Sequence, residues 1–158
     1  MEIAMSSGTA LKDEPKWPVI PENELVDVEV VKVELREISP EFRARYGITD
    51  ESEISFSFKI TEGEFKNQWI FGSAKPYLND SDTCRLRHWL TAIYGLDRLP
   101  DDYTLRLDEN NVAPDLTGLR CRVLVRNKTK QDGTKAHAVK DVLRAWDQEF
   151  PHRRVLLI

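Results

Sequence analysis

Three sets of residues in this sequence have types and spacings that could do chemistry, and that chemistry is recognition of an anion. The densest set runs from Gly118 to Leu143 and on to Arg144. It carries Arg120, Arg122, Arg126, Lys128, Lys130, Lys135, Lys140 and Arg144 against Asp132 and Asp141, eight positive charges less two negative, in a chain with a formal net charge of -4. An acidic chain that gathers positive charge in one segment offers that segment to an anionic partner. The second set is Arg43, Arg45 and Tyr46, guanidinium groups beside a ring, a mixture that pairs with phosphates and stacks on bases. The third is Trp69-Ile70-Phe71. Three adjacent bulky residues on a strand cannot all face inward, so either Ile70 or the Trp69/Phe71 pair looks outward, and an outward pair would be a base-stacking platform. His137, on the basic segment, is either a plain surface residue or a further stacking ring.

Bond-making chemistry finds little support. The sequence has no phosphate-binding glycine loop, no His-Glu-x-x-His and no Gly-x-Ser-x-Gly. Ser73 and Lys75, two apart on a strand, share a face, which alone does not make Lys75 a base for Ser73. Cys84 and His88 have the one-turn spacing of helical metal ligands, but only Cys121, His137 and His152 remain to complete a tetrahedral set. A buried thiol beside a half-exposed imidazole accounts for the same pair. The expectation is a protein that is not an enzyme and takes no metal or cofactor.

The elements that position these residues are mostly strands. In a chain of 158 residues there is room for one domain with a substantial core. A hydrophobic content of 41% with 32% charged residues suits a soluble globular chain, no apolar run approaches the roughly 18 residues of a membrane span, and no basic-then-apolar leader opens the sequence. A cytoplasmic location is expected, with Cys84 and Cys121 as free thiols. Residues 1–23 read as an extended arm, with Pro15, Pro18 and Pro21 around Trp17. Between Glu24 and Glu37 valines alternate with charged residues, and the phase slips at Val30-Val31, which predicts a β-bulge in a long curved strand. Ser39 to Asp50 breaks the pattern with Pro40 and Gly47 and has room for one helical turn. Glu53 to Ile60 places Ile54, Phe56, Phe58 and Ile60 on one face, and Gln68 to Ser73 returns as a third strand.

Asn79-Asp80-Ser81-Asp82 supplies N-cap residues for a helix from Thr83 to Tyr94 closed by Gly95, with Leu86, Trp89, Leu90 and Ile93 on one face. A short apolar-polar alternation, Tyr103 to Asp108, lies among connectors. Two strands joined at Gln131-Asp132-Gly133-Thr134 then form the basic hairpin. Residues 24–144 make one domain and 145–158 a tail, whose apolar Val155-Leu156-Leu157-Ile158 must bury against this domain, a second copy or a partner. Five strands with one helix between the third and fourth is the order of a mainly β, five-stranded OB-fold barrel.

With these pieces in place, Leu25 to Leu143 resembles the single-stranded-DNA-binding OB-fold proteins of bacteriophages. The matching features are Val28-x-Val30, Phe56-x-Phe58, Trp69-x-Phe71-Gly72-Ser73, Leu86-x-x-Trp89-Leu90 ending in Gly95, and Val139-Lys140-Asp141-Val142. The resemblance implies single-stranded DNA as the partner, bound with little sequence preference in phage replication or recombination, in the host cytoplasm. It implies that the strand crosses the second and third strands and is gripped by Ser39 to Asp50 and by Asn127 to Lys135. The nucleic-acid-binding residues expected are therefore Arg43, Arg45, Tyr46, Trp69, Phe71, Lys75, Arg120, Arg122, Arg126, Lys128, Lys130, Lys135, His137 and Lys140.

A second reading stands beside this one. Residues 1–64 hold fifteen Asp or Glu against seven Lys or Arg, a balance of minus eight that would repel a phosphate backbone. The same barrel would then be a protein-interaction module, or a nucleic-acid mimic, docking on a replication or recombination protein. Arg120, Arg122 and Arg126 would in that case pair with Asp27, Glu29 and Glu34 across neighbouring first and fourth strands.

Overall fold

The computed structural model describes residues 18–78, 84–129, 133 and 135–145, with Lys135 described in its backbone. Alternation of apolar and polar residues becomes five strands: β1 (Leu25–Glu37), β2 (Ser52–Ile60), β3 (Trp69–Ala74), β4 (Arg120–Thr129) and β5 (Lys135–Arg144). Helix α1 (Pro40–Tyr46) joins β1 to β2, α2 (Arg85–Tyr94) follows β3, and a 3-10 turn, Pro114–Leu116, precedes β4. The molecule is mainly β. Its sheet runs β1-β2-β3-β5-β4 and closes into a barrel as β4 pairs back onto β1. Every pairing is antiparallel except β3 with β5, where Phe71 sits opposite Ala138. Closure satisfies the backbone groups that an open sheet would leave at its edges.

Because β1 is shared by β4 and β2, it must bend. Its register against β2 shifts between Val30 and Lys32, where the alternation of the sequence slips phase. Val28 and Val30 before the shift and Val33 after it, Phe56 and Phe58 from β2, Ile70 from β3, Val123 and Val125 from β4 and Val142 from β5 fill the interior. Helix α2 seals it with Leu86, Trp89, Leu90 and Ile93, the Trp89 ring meeting Phe56 edge-on at 5.2 Å between centroids. At Gly72 the packing leaves no space for a side chain: a Cβ there would lie 2.8 Å from Val139 Cβ and 2.9 Å from Trp89 Cη2. Glycine is what lets β3, β5 and α2 meet.

The structure corrects the sequence reading at three places. Among the described residues there are two α-helices, not one, because Ser39 Oγ accepts the Phe42 N–H at 3.1 Å, Pro40 fits the first turn, and Gly47 closes the helix in the left-handed region. Helix α2 begins at Arg85 with Cys84 as its N-cap, its Sγ accepting the Arg87 N–H at 3.5 Å; the cap expected at residues 79–82 lies outside the described residues. The alternation from Tyr103 to Asp108 belongs to the connector, as expected; its tyrosine reaches Tyr94, hydroxyl to hydroxyl at 2.8 Å, and burial raises the pKa of both phenols.

The third correction concerns the arm. Residues 18–23 pack onto the barrel: Ile20 is fully buried, Gln68 Nε2 donates to Pro18 O at 2.7 Å, and Asn23 N–H donates to Val125 O at 2.8 Å. Ile20 buries because the chain runs against β4 and β5, to which it is bonded at Val125, Asn127 and His137, and the preceding prolines said nothing about that. The apolar tetrapeptide expected to bury or to pair two copies lies outside the described residues. Among the described residues, no helix is long and apolar enough to cross a membrane.

Candidate nucleic-acid interface

The β2–β3 register decides which bulky residues of Trp69-Ile70-Phe71 face out. Ile70 sits opposite Phe58, which is locked in the core, while Trp69 sits opposite Lys59 and Phe71 opposite Ser57. Ile70 is fully buried, and Trp69 and Phe71 remain 47% and 51% exposed, their ring centroids 6.1 Å apart. Leaving two large rings half in water forfeits about half of the roughly 1.5–3 kcal/mol that full burial of each would give, which makes them the conspicuous feature of this wall.

Register also sets the surroundings of these rings. Across the barrel wall Lys32, Ser57, Phe71, Ala138 and Arg126 form one transverse row, each opposite the next. Four inter-strand steps make the row roughly 19 Å long. Small residues, Ser57 and Ala138, flank Phe71 on both sides, so the ring stands clear of its neighbours; Arg126 ends the row on one side, and on the other Lys32 is paired with Glu34 at 3.0 Å. Beside Phe71 lies a groove of about 310 Å³ lined by Arg36, Arg85, Arg126, Lys128 and Lys140, with Glu53 as the one carboxylate among the described residues that line it. Arg85 is held at its rim, Nη1 donating to Ser73 O at 3.2 Å and the guanidinium 5.4 Å from the centroid of the Trp89 ring. Lys140 donates to Asn23 Oδ1 at 2.7 Å, so the strap of residues 18–23 reaches the groove as well.

A second depression, of about 650 Å³, lies at the barrel end between the flanks of α1, the end of β3 and the start of α2. Glu53, Ser73 and Arg85 line both, which makes them one continuous surface. Lys75 belongs to this second part. Tyr77 does too, its hydroxyl donating to Asp50 Oδ1 at 2.7 Å, a bond that raises the phenol pKa.

The residues expected from the sequence are thus divided. Phe71, Arg126, Lys128 and Lys140 converge on the groove, with Trp69 beside them and Lys75 in the adjoining depression. Arg120 does not join them: it pairs with Glu62 at 3.1 Å, opposite Glu29 across the β1–β4 seam. Arg122 lies with His88 and Asp97 around a separate hollow near the end of α2, its Nε donating to Arg144 O at 2.7 Å. His137 is engaged by the chain itself, since its Nε2 accepts the Ile20 N–H at 3.1 Å and burial lowers its pKa. Arg43, Arg45 and Tyr46 sit on α1, where Tyr46 and Phe42 form an exposed pair 4.6 Å apart; they are not among the residues lining either depression, which α1 reaches through Ile38 and Ile48. Lys130 and the side chain of Lys135 lie outside the described residues.

Arg36 and Arg85 were missed. Their spacing marks them only as polar positions of a strand or helix, and their meeting depends on which strands become neighbours. For Arg85, the apolar face of α2 was a usable signal, because it placed this arginine on the rim once the helix seals the barrel. Among the described residues, Cys84 and His88 gather no third metal-ligating side chain, and His88 instead contacts Asp141 at 3.0 Å.

No protein-family model matches this sequence, and no characterised protein matches it significantly.

Proposed function

We propose that this protein is a single-stranded-DNA-binding OB-fold protein that acts without enzymatic chemistry and with little overall sequence preference. The observation that carries the reading is the half-exposed Trp69/Phe71 pair standing beside a groove lined, among the described residues, by five cationic side chains and one carboxylate. Rings of this kind stack on any base, each contributing about 1–3 kcal/mol, and the cations neutralise the backbone and release its counterions. A duplex hides the faces of its bases, so the wall favours unpaired strands. The strand order and the helix following β3 suit an OB-fold, and the resemblance to phage proteins of replication and recombination supports the same role.

The acidic first half of the chain bears on this reading less than its charge count suggests. Lys32 draws Glu34 to 3.0 Å, and Glu62 is held by Arg120, both away from the lining of the groove. Exposed pairs of this type contribute only about 0–1 kcal/mol to stability, yet each cancels a charge locally. The second reading, a protein-docking module, is favoured by one observation: α1 buries none of its residues and displays Phe42 and Tyr46 to solvent.

Fluorescence anisotropy with labelled oligo-dT and a duplex of equal length separates the two. Binding of the single strand, weakening with salt at a log–log slope of roughly -2 to -3.5 for three to five neutralised phosphates, is the expected result. Absence of binding at low salt would sink the proposal.

A further inference from the structure

The depression at the barrel end is unlike the stacking wall. Ile38, Ile48 and Leu86 make its apolar side, and Tyr77 stands at its edge 54% exposed. That ring is pre-ordered from both ends: its hydroxyl is tied to Asp50, its N–H donates to Lys75 O at 2.9 Å, and Cys84 Sγ donates to its carbonyl at 3.2 Å. Holding a ring in place beforehand removes an entropic cost of binding. Lys75 and Arg85 add positive charge, Asp50 and Glu53 add acceptors, and a volume of about 650 Å³ is in the roughly 300–1,000 Å³ range of small-ligand sites. A flat apolar-faced group, an anion and hydrogen-bond donors in one ligand describe a nucleotide.

We propose that this depression takes one nucleotide of the strand lying on the Trp69/Phe71 wall and favours a base with an exocyclic amino group. The inference rests on the single-strand reading above and adds a positional preference to it. Continuity supplies the route, because Glu53, Ser73 and Arg85 border both parts of the surface. Glu53 supplies the selection. A carboxylate accepts hydrogen bonds; Asp50 uses Oδ1 for Tyr77 and lines the depression alone, whereas Glu53 lines both parts of the surface and so stands at the junction. Cytosine N4 and adenine N6 donate to such a group from the position where thymine presents O4, an acceptor facing an acceptor; the one donor on thymine's edge, N3–H, lies between two carbonyl oxygens that a carboxylate repels. Trp69 and Phe71 take any base; the pocket discriminates at a single position.

The test is a titration of the full chain with labelled oligo-dT and with the same oligonucleotide carrying a single central dC. The dC is expected to tighten binding by about fivefold in the native protein. Glu53→Gln should bring that ratio to one or below, because the amide turns a donor toward thymine O4; a mere change in charge would shift both oligonucleotides together. Tyr77→Ala, which leaves Glu53 in place, should lose the dC gain independently. Equal binding of the two oligonucleotides by the native protein, or a dC gain that survives both substitutions, overturns the base pocket while oligo-dT binding and the stacking wall stand. Failure of either oligonucleotide to bind overturns the single-strand reading and the pocket with it.

Discussion

The two halves of β4 carry the same alternation of core and cation and meet opposite fates. Over Arg120 to Leu124 the strand lies against the acidic start of β1, with Arg120 opposite Glu29 and Arg122 opposite Asp27, and Arg120 is drawn to Glu62. Its register against β5 shifts between Leu124 and Val125, and beyond that point Arg126 and Lys128 face Ala138 and Ala136. The first half lies opposite carboxylates of β1, while the cations of the second lie opposite methyl groups of β5, the nearby Glu22 being bound to the Asn127 N–H at 2.6 Å. What becomes of a strand's charge is therefore set by its neighbours, and only the second half opens onto an aromatic wall.

Reversing the charge of the second half gives the largest expected effect. Arg126→Glu with Lys128→Glu should weaken oligo-dT binding about a hundredfold at low salt and flatten the salt slope by about 1.4, whereas Arg120→Ala should change affinity less than twofold. Equal losses from both halves would erase the contrast. Next comes the contact on which the second half depends. Gly72→Ala forces a methyl group against Val139 and Trp89 and should cost about 1–3 kcal/mol in chemical denaturation, loosening the one parallel pairing that carries Phe71 alongside β5.

Removing one ring at a time, Trp69→Ala or Phe71→Ala, should lower oligo-dT affinity about tenfold each with the fold intact by circular dichroism. The same change at buried Trp89 should unfold the barrel instead of selectively weakening binding.

The smallest effect concerns the strap. His137 accepts the Ile20 N–H through Nε2, which a protonated ring cannot do, and burial holds its pKa below the ordinary 6.5. A depressed pKa means the unfolded chain binds the proton more readily. The stabilisation is thus complete above about pH 6.5 and fades as pH falls through the lower folded value. Thermal melts from pH 8 to 5 should show a fall in Tm that His137→Asn reduces; an unchanged profile would remove the latch.

Much of the architecture was legible because side-chain periodicity is a local property. The phase slip at Val30-Val31 marked the bulge, the spacing of Leu86, Trp89, Leu90 and Ile93 marked the sealing face of α2, and Ile54 to Ile60 marked an inner face. Helix α1 was written in the chain too, as Ser39-Pro40-Glu41 before and Gly47 after, although seven residues without a buried face carry too weak a pattern to stand out. The strap was not legible, since its partners, Gln68, Val125 and His137, are remote in sequence.

Residue order alone determined the strands, the helix that plugs them, and the presence of rings and cations in sufficient number for a strand-binding surface. It could not decide between Ile70 and its two aromatic neighbours, nor sort Arg126 from Arg120, nor bring Arg36 and Arg85 to the groove. Those outcomes depend on register and closure: a one-residue slip between β2 and β3 would turn Trp69 and Phe71 inward, and only the return of β4 to β1 assigns each arginine its neighbours. Such pairings are made between residues far apart along the chain, so tertiary structure fixed what composition and spacing left open.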